Sequence, residues 1–425
     1  MAERVMYIVR SWPRLSQTFV VNEILALERR GVELTVFALA HSGEALVQPQ
    51  VAQVRADVVH LDGRGVGRVR ALARDVATVS LRSPLGLARM AWLALRHPDL
   101  AWGYGEATAL ECLGHAVAVA AATVRRRSAG EQVTHLHAHF AHDPALVGLM
   151  AAELTGLPFT FTGHARDLLQ IPASSLAARA RAASAVVTCC EANADYIREA
   201  VPAEHLPPVL VVHHGVELSR FAPVPPRAEG VDGTPVITSV GRLVEKKGFE
   251  DLLRALALLR DRGVDFGFRL YGEGPLHDRL VALRDELGLG SRVDLMGARD
   301  NDEVVAALAS TDVFTLAPRV TDDGDRDGIP NVLVEAMACG LPVVTTAVGG
   351  IPELVHDQHN GLVVEPGNVA ALADSLHQAL KDPRLRERLG TAARASVVAG
   401  YDVDDAARRL HALFTAGAPT MEVPA

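Results

Sequence analysis

Lysine is almost absent from this chain, although basic residues are not. Of the 42 basic residues among 425, the lysines are only Lys246, Lys247 and Lys381, which leaves 42 − 3 = 39 arginines. We attribute this bias to the source genome and not to a special need for guanidinium groups. In such a background the adjacent pair Lys246 and Lys247 stands out as a candidate functional feature.

Cysteine and long hydrophobic runs are scarce as well. The four cysteines form no CxxC pair and show no zinc-site spacing, which is typical of a reduced, cytoplasmic protein. The first nine residues carry no apolar segment of signal-peptide type. The most apolar stretch, residues 107–124, contains Glu111 and His115, so it predicts a buried amphipathic helix rather than a membrane span. The cysteines are Cys112, Cys189, Cys190 and Cys339.

An excess of positive charge is also lacking. The net charge of -9 argues against a nucleic-acid partner, because neutralising phosphates requires a basic surface. Hydrophobic residues make up 49% and charged residues 22% of the chain, as in ordinary globular proteins. A length of 425 residues exceeds the size at which one core usually keeps growing, so two domains are expected.

Short apolar runs alternate with helical patterns along the whole chain, which predicts an α/β fold with parallel sheets. In the first half we expect strands at 5–9, 32–39, 58–61, 135–138, 159–162, 185–188 and 209–212, with helices at 18–30, 143–154 and 191–200. In the second half we expect strands at 236–240, 268–271, 293–296, 313–316 and 342–345, with helices at 249–261, 276–287, 302–309 and 330–339.

A stretch rich in proline and glycine, residues 221–235, separates the two halves and has the composition of a linker. We therefore predict a first Rossmann-like domain over 1–220 and a second over 236–400. A last helical pattern, within 401–416, is expected to cross back to the first domain. Ligands of doubly wound sheets bind at the carboxyl ends of the strands, so two such domains can face one cleft.

The first chemical motif is GRLVEKKG at residues 241–248, between a predicted strand and a predicted helix. Arg242 and Lys247 are flanked by glycines that let the backbone approach a ligand closely. The positive end of the following helix adds to the two cations. The motif therefore suits a diphosphate; the alternative is a solvated turn.

The second motif is DGIPNVLVEAMACG at residues 327–340. Pro330 suits the first helical turn and Gly340 the end of the helix. Free N–H groups near Asn331 and Val332 can receive a phosphate. Glu335 lies in an apolar stretch and would be costly to bury without a partner. A ribose is a natural partner for it, and a satisfied structural carboxylate is the alternative.

These two motifs together resemble glycosyltransferase family 4, whose members have a GT-B fold and retain the anomeric configuration. Further matching segments are YGEGP at 271–275, VGGIPE at 348–353, NG at 360–361 and HHGVE at 213–217. In the first half LSQTF at 15–19, NE at 22–23, HAHFA at 137–141 and TGHARD at 162–167 resemble a subgroup that builds exopolysaccharides, of the colanic-acid type.

The resemblance implies roles for individual residues. Arg242 and Lys247 would hold the diphosphate and stabilise it as it leaves, Glu335 would bind the ribose, and Asp327 would touch hydroxyls of the transferred sugar. His164 would line the cleft beside the anomeric centre. The donor would also contact Gly272, Gly274, Gly297, Gly328, Ile329, Pro330, Asn331 and Val332. For the acceptor we expect Ser16, Gln17, His139 and Arg166.

Two departures from the family pattern bear on these roles. Asp327 stands where glutamate is usual, so the carboxylate is one methylene shorter. The family's Gly-Gly loop after the first strand is replaced by SWPRLS at 11–16, which affects the contacts expected of the first domain.

Other functional classes fit the sequence less well. Residues 323–328 mimic the start of a calcium loop, but its twelfth position is Val334 and not glutamate. A nicotinamide enzyme would need GxGxxG, and His277 stands in place of the third glycine after Gly272 and Gly274. A nucleotide-sugar epimerase of the same architecture and a binding protein without chemistry remain as alternatives.

We therefore expect a retaining sugar transferase that takes its sugar from a nucleotide diphosphate donor. It should need no cofactor and no metal, because the arginine and lysine already supply positive charge. The acceptor is expected to be a saccharide, a lipid-linked sugar or a small molecule. The arginine-rich stretch 64–96, with Met90 and Trp92, can touch an anionic membrane or form a solvated helix pair. We therefore expect a cytoplasmic location, and the first of these two options adds peripheral contact at the inner membrane face.

Overall fold

In the computed structural model, which describes residues 3–63, 66–103, 107–224 and 233–416, the chain forms two parallel sheets flanked by helices. We call the seven-stranded sheet with its helices the first domain and the six-stranded sheet with its helices the second domain. Residues 225–232, the centre of the predicted linker, lie outside the described residues, as do Arg64 and Gly65 of the arginine-rich stretch.

The first domain has the strand order β3-β2-β1-β4-β5-β6-β7, and every adjacent pair is parallel. Its strands are β1 (Glu3–Trp12), β2 (Glu33–His41), β3 (Asp57–His60), β4 (Gln132–His139), β5 (Phe159–Gly163), β6 (Ala185–Thr188) and β7 (Val209–Val211). Its helices are α1 (Thr18–Arg29), α2 (Val66–Ser80), α3 (Pro84–Arg96), α4 (Ala109–Ser128), α5 (Asp143–Thr155), α6 (Arg166–Leu169), α7 (Ala173–Ala182) and α8 (Glu191–Ala200).

The second domain has the order β10-β9-β8-β11-β12-β13, again with parallel neighbours. Its strands are β8 (Val236–Val240), β9 (Gly267–Tyr271), β10 (Val293–Gly297), β11 (Val313–Thr315), β12 (Val343–Thr346) and β13 (Leu362–Val364). Its helices are α9 (Phe249–Asp261), α10 (His277–Glu286), α11 (Asn301–Leu308), α12 (Asn331–Ala338), α13 (Ile351–Leu354), α14 (Val369–Lys381) and α15 (Pro383–Gly400), and α16 (Val403–Ala416) follows.

The predicted strands and helices are thus present within a few residues of their expected bounds. One local prediction needs correction: Pro330 is the N-cap of α12 and not its first helical residue. The sequence patterns did not predict α6, α7, β13, α13, α14 or α15. The stretch 107–124 forms most of α4, an amphipathic helix whose buried face packs on the first sheet and whose first turn carries a complete capping box from Thr108 and Glu111.

The last helix packs on the first domain although it follows the second in sequence. Ala407, Leu410, Leu413 and Phe414 of α16 are buried in the same hydrophobic cluster as strands β1 and β2. A parallel bridge between Val216 and Asp402 joins the two chain segments that connect the domains. The domains are therefore linked at two adjacent crossings, a geometry that permits hinge motion.

Glycine is required where the second domain's loops pack against each other. Gly248 has φ of 67°, and a Cβ there would lie 1.7 Å from the carbonyl oxygen of Ala317. Gly272 has φ of 142°, and its Cβ would lie 1.9 Å from the carbonyl oxygen of Gly241. These contacts hold the GRLVEKKG loop against the ends of β9 and β11, at the edge of the sheet that faces the first domain.

Candidate active site

The strand ends of both sheets bring the sequence motifs to one cleft. The GRLVEKKG loop follows β8 and leads into α9, while His164 follows β5 of the first domain. A narrow pocket between the domains is lined by Cys189 and His214 from one side, Ile329, Asn331 and Val334 from the other, and Tyr401 of the connecting segment. Motifs far apart in sequence therefore share one site.

The two lysines of the first motif pair with Asp327, the first residue of the second motif, and with Asp325, two residues before it. Lys247 Nζ lies 2.7 Å from Asp327 Oδ2, and Lys246 Nζ lies 2.9 Å from Asp325 Oδ1 and 3.4 Å from Asp327 Oδ1. Burial would raise the pKa of Asp327, but the charges of Lys247 and Lys246 outweigh it and lower that pKa. The site is therefore a compact, charge-balanced cluster.

Arg242, by contrast, is exposed and makes no side-chain hydrogen bond or ion pair with the residues that the structure describes. Its loop is fixed by main-chain bonds: the N–H of Leu243 donates to the carbonyl of Glu273 at 2.9 Å, and the N–H of Gly272 donates to that of Gly297 at 2.9 Å. Gly272, Gly274 and Gly297 thus line the same loop cluster as Arg242. A guanidinium at this position is available to an anionic ligand.

The start of α12 faces the first domain closely. A Cβ on Gly328 would lie 3.3 Å from the sulfur of Cys189 and 3.4 Å from that of Cys190. Ile329 and Asn331 line the interdomain pocket, with Pro330 as the cap between them, and Val332 packs partly on the core. The predicted donor residues of this segment are therefore at the domain interface.

Glu335 lies on α12 and is almost fully buried, at 6% exposure. Burial raises its pKa to about 7, against the opposing influence of the Arg220 charge and the Asn301 side chain. Arg220 also pairs with Asp302 at 2.5 Å. A buried carboxyl group with so high a pKa is a good partner for hydroxyl groups.

His164 does not present a free ring nitrogen. Its Nδ1 lies 3.0 Å from Nε2 of His214, and its Nε2 lies 3.2 Å from Nδ1 of His139. Burial, followed by the charges that His214 and His139 would carry, holds the pKa of His164 well below its usual value. Asp167 fixes the loop by accepting hydrogen bonds from the backbone N–H groups of His164 and Ala141.

The four predicted acceptor residues do not form one surface. Ser16 is exposed and Gln17 is the N-cap of α1, without a side-chain capping bond. Arg166 lies 3.5 Å from Asp325 of the second domain and donates to Gln170 at 2.8 Å. His139 is fully buried within the sheet end, a position that does not favour direct contact with an acceptor.

Further cross-domain contacts involve residues for which the sequence indicated no role. Glu353 of α13 accepts the N–H groups of Glu191 and Ala192 at 2.8 and 2.9 Å and so caps α8 of the first domain. Gln48 accepts the N–H of Asn301 at 2.8 Å. These bonds hold the two domains together around the pocket.

The sequence motifs contain several further residues of the site but predict no separate role for them. The sequence indicates Lys246 only as one member of the lysine pair, and Asp325 only as part of the calcium-like stretch 323–328. His214 and Glu23 lie in the matching segments HHGVE and NE, but nothing in the local pattern indicates that they meet. Two adjacent histidines directly after a strand are the one signal that could have drawn attention to His214.

No helix within the described residues is long and apolar enough to cross a membrane. Three groups of side chains in the same residues have the spacing of a metal site, and none of them includes the aspartates of residues 322–327.

Two family models match adjoining segments of the chain. Residues 226–396 match the model described as glycosyl transferases group 1, and residues 108–220 match that of Glycosyltransferase Family 4. The two segments lie on opposite sides of the pocket. They confirm the resemblance to glycosyltransferase family 4 that the motifs indicate.

Solved structures identify the fold. HepE of Anabaena in complex with UDP superimposes with a TM-score of 0.69 at 18% identity, covering 97% of this chain and 100% of the other. The fold is GT-B, as the sequence motifs predicted.

Curated relatives point to the same family. The putative colanic acid biosynthesis glycosyltransferase WcaL of Escherichia coli is 41% identical over 40% of this chain and 41% of its own length. A GDP-mannose-dependent phosphatidylinositol monomannoside mannosyltransferase of Mycolicibacterium smegmatis is 37% identical over 45% and 50%. In these alignments the chain spans about half the length of the relatives or less. The name of the first relative agrees with the exopolysaccharide subgroup.

Proposed function

We propose that this chain is a retaining glycosyltransferase that moves a sugar from a nucleotide diphosphate donor to a hydroxyl group of an acceptor. One observation carries the proposal: Lys247 of the GRLVEKKG loop meets Asp327 at 2.7 Å. Two motifs separated by 80 residues thereby form a single charged site at the edge of the cleft. The UDP complex of the structural neighbour HepE agrees with a nucleotide ligand for this fold.

The chemistry follows from where charge develops. The bond between the anomeric carbon and the phosphate oxygen breaks, and its electron pair leaves with the diphosphate. The acceptor oxygen bonds to the anomeric carbon on the same face, and its proton passes to the departing phosphate. Arg242, Lys247 and the start of α12 are fixed positive groups for the growing negative charge, which is the most effective form of electrostatic catalysis.

The charge balance of the site supports transfer without a divalent metal. Asp325 and Asp327 are already paired with Lys246 and Lys247, and Asp323 accepts a hydrogen bond from Gln170 at 2.8 Å. Three of the four aspartates of residues 322–327 are therefore engaged, and Asp322 by itself does not make a metal cage. We expect full activity in excess EDTA; loss of activity that magnesium or manganese restores would contradict the proposal of metal independence.

The donor is tested directly by a panel of nucleotide sugars. We expect one of them to raise the melting temperature of the protein through binding to the folded state. Incubation of that donor with candidate acceptors should then release nucleoside diphosphate together with a glycosylated product. Interconversion of the donor without acceptor would instead identify an epimerase, and binding with no turnover would identify a binding protein.

For the acceptor we propose a saccharide carried at a membrane. Among the described residues, α3 exposes Leu85, Trp92 and Leu95 at 73%, 58% and 66% on one side of the helix. Residues 76–98 contain Arg82, Arg89 and Arg96 and no acidic residue, which favours an anionic lipid surface. We propose that the enzyme works in the cytoplasm with this helix against the inner membrane face.

Vesicle binding separates this proposal from a solvated helix. We expect vesicles with phosphatidylglycerol to bind the wild type in a salt-dependent manner, and the variant Leu85→Glu/Trp92→Glu to bind much less. Val398→Glu, at a residue of α15 that is 50% exposed, is the matched control and should bind normally. Equal partition of all three proteins would contradict membrane contact through α3.

A further inference from the structure

A row of hydrogen bonds runs from the interior of the first domain to the cleft. Glu23 Oε1 lies 2.9 Å from His139 Nε2, His139 Nδ1 lies 3.2 Å from His164 Nε2, and His164 Nδ1 lies 3.0 Å from His214 Nε2. Tyr7 also donates to Glu23 and lies 2.5 Å from His139 Nε2. We call Glu23, His139, His164 and His214 the histidine chain.

The histidine chain is enclosed by aromatic rings and starts from buried groups. Tyr7 and His139 are fully buried and Glu23 is 8% exposed. Phe19 of α1 stacks on His214 with ring centroids 4.4 Å apart and contacts His164 at 4.8 Å. These contacts hold both rings in place, so that rotation of one imidazole alone would break the row.

The number of protons in the histidine chain decides in which direction its hydrogen bonds run from donor to acceptor. A neutral imidazole has one N–H, so three neutral rings can fill all three hydrogen bonds in only two ways. If Glu23 is ionised, each ring donates from Nε2 toward Glu23, and His214 Nδ1 is left as a bare acceptor. If Glu23 is protonated, every bond reverses, and His214 Nδ1 carries a hydrogen instead.

Tyr7 selects between these two directions. Its hydroxyl group donates to Glu23 Oε1, and His139 Nε2 lies at hydrogen-bond distance from the same oxygen. A carboxylate oxygen that already accepts from Tyr7 is better matched by a second donor, the Nε2–H of His139, than by a bare ring nitrogen. The ionised direction is thus favoured, with Nε2–H on all three rings.

The open end of the row lies at the donor site. His214 lines the interdomain pocket together with Asn331 at the start of α12. Among the described residues, its Nδ1 has no hydrogen-bond partner. This atom is also not among the buried polar atoms that lack a partner there, so it is not fully enclosed by protein. A bare nitrogen at this position can accept a hydrogen bond from a hydroxyl group.

We propose that Glu23 is a positioning residue that acts through His139 and His164 to keep His214 Nδ1 as an acceptor for a hydroxyl of the sugar nucleotide. This inference rests on the proposed function for the identity of the ligand, but the direction of the row does not depend on it. The residue that faces the substrate is then His214, and His164, predicted for that place from the sequence, transmits the orientation.

The tautomers are measured by nitrogen NMR of the protein labelled at histidine, because protonated and bare ring nitrogens resonate far apart. Single His→Gln variants assign the signals among the 17 histidines. In the wild type we expect His139, His164 and His214 all to carry hydrogen on Nε2. An Nδ1–H signal from any of the three would overturn the proposal, and this test needs no functional variant.

Glu23→Gln is the decisive variant, since an amide can either donate to His139 or accept from it. We expect mixed or reversed tautomers along the row, a fall in kcat of about tenfold or more and weaker donor binding, because His214 Nδ1 is then no longer a defined acceptor. Glu28→Gln is the control: Glu28 is a buried carboxylate of the same helix that accepts from the N–H groups of Arg55 and Ala56. It should leave tautomers and kcat unchanged.

His214→Gln separates orientation from contact, because glutamine can still donate to His164 but lacks the second nitrogen. We expect the tautomers of His139 and His164 to persist while kcat falls by a similar factor. Wild-type tautomers in Glu23→Gln, or full activity in His214→Gln, would contradict the inference. If no nucleotide sugar is turned over by any protein, the proposed function fails, whereas the NMR result still decides the direction of the row.

Discussion

The two domains build their sides of the cleft from different chemistry. Twelve of the 17 histidines lie in residues 1–220, whereas all three lysines lie in the second half of the chain. The first domain presents neutral imidazoles, such as His164 and His214, whose pKa values are lowered chiefly by burial. The second presents fixed charges, with Lys246 and Lys247 against two aspartates.

This difference matches what the proposed nucleotide-sugar donor would need from each side of the cleft. A diphosphate needs full positive charges that stay in place while its own charge grows. A sugar offers hydroxyl groups, which are matched by neutral donors and acceptors of defined direction. Under the proposed function, the full positive charges come from the second domain alone, whereas the first domain contributes neutral groups that suit hydroxyl groups of the sugar.

The largest effect is expected from substitutions of the positively charged residues on the second domain's side of the cleft. Lys247→Ala and Arg242→Ala should each lower turnover by about two orders of magnitude or more, because each removes a fixed positive group from the leaving diphosphate. The measurement is the steady-state rate of the folded variant. Lys381→Ala, at an exposed residue at the end of α14, is the control and should match the wild type. Rates of the two site variants within a few-fold of wild type would contradict the phosphate assignment.

A second test concerns the pH dependence of the second domain. Glu335 has a pKa near 7 in the folded protein, raised by burial from 4.5. The folded state therefore binds this proton more tightly than the unfolded chain does. The resulting stabilisation of the folded state is fully present below pH 4.5 and is lost as the pH rises through 7. Between pH 5 and pH 8 this contribution falls by roughly 2.5 kcal/mol.

Glu335→Gln should remove that dependence, because an amide does not titrate. We expect the stability of the variant relative to wild type, from denaturant unfolding, to rise steadily between pH 5 and pH 8. A difference that is constant over this range would show that the carboxyl group titrates normally.

The first domain should respond to pH in the opposite direction. His142 is the N-cap of α5, where its Nδ1 accepts from the N–H of Asp143 at 2.7 Å, and burial lowers its pKa to about 3. The unfolded chain then binds the proton more tightly. The stability present above pH 6.5 is lost as the pH falls toward 3, by about 2 kcal/mol between pH 7 and pH 5.

His142→Asn keeps a capping side chain but removes the titration. We expect the variant to lose less stability than wild type on going from pH 7 to pH 5, as measured by denaturant unfolding at each pH. Parallel losses in the two proteins would mean that the buried histidine is not what sets the acid sensitivity.

The smallest expected effect concerns the hydrogen bonds by which Glu353 of the second domain caps α8 of the first. Glu353→Ala removes the cap that α13 provides for α8 and should weaken the closed arrangement by about 1 kcal/mol. In solution scattering we expect a slightly larger radius of gyration without ligand and recovery when a nucleoside diphosphate binds. Asp382→Ala, which removes the cap of α15 within the second domain, should leave the radius unchanged. An unchanged radius for both variants would contradict the role of Glu353.

The sequence by itself determined the α/β alternation, the division into two halves and the two donor motifs. These features depend on local patterns: apolar runs of strand length, and glycines beside Arg242 and Lys247 before a helix. The separate roles expected of Lys247 and Asp327 came from a resemblance that covers both motifs, whereas their ion pair was revealed only by the structure. Local spacing was sufficient wherever neighbours in sequence are neighbours in the fold.

Only the tertiary structure decided which residues cooperate across long distances. Glu23 and His139 are 116 residues apart, and Glu353 caps a helix 162 residues earlier in the chain. No local pattern encodes such contacts, because they depend on the order of strands in the sheet and on how the domains close. The same reason explains why His139, expected at the acceptor, is buried behind His164: its direction depends on the sheet end and not on its neighbours in sequence.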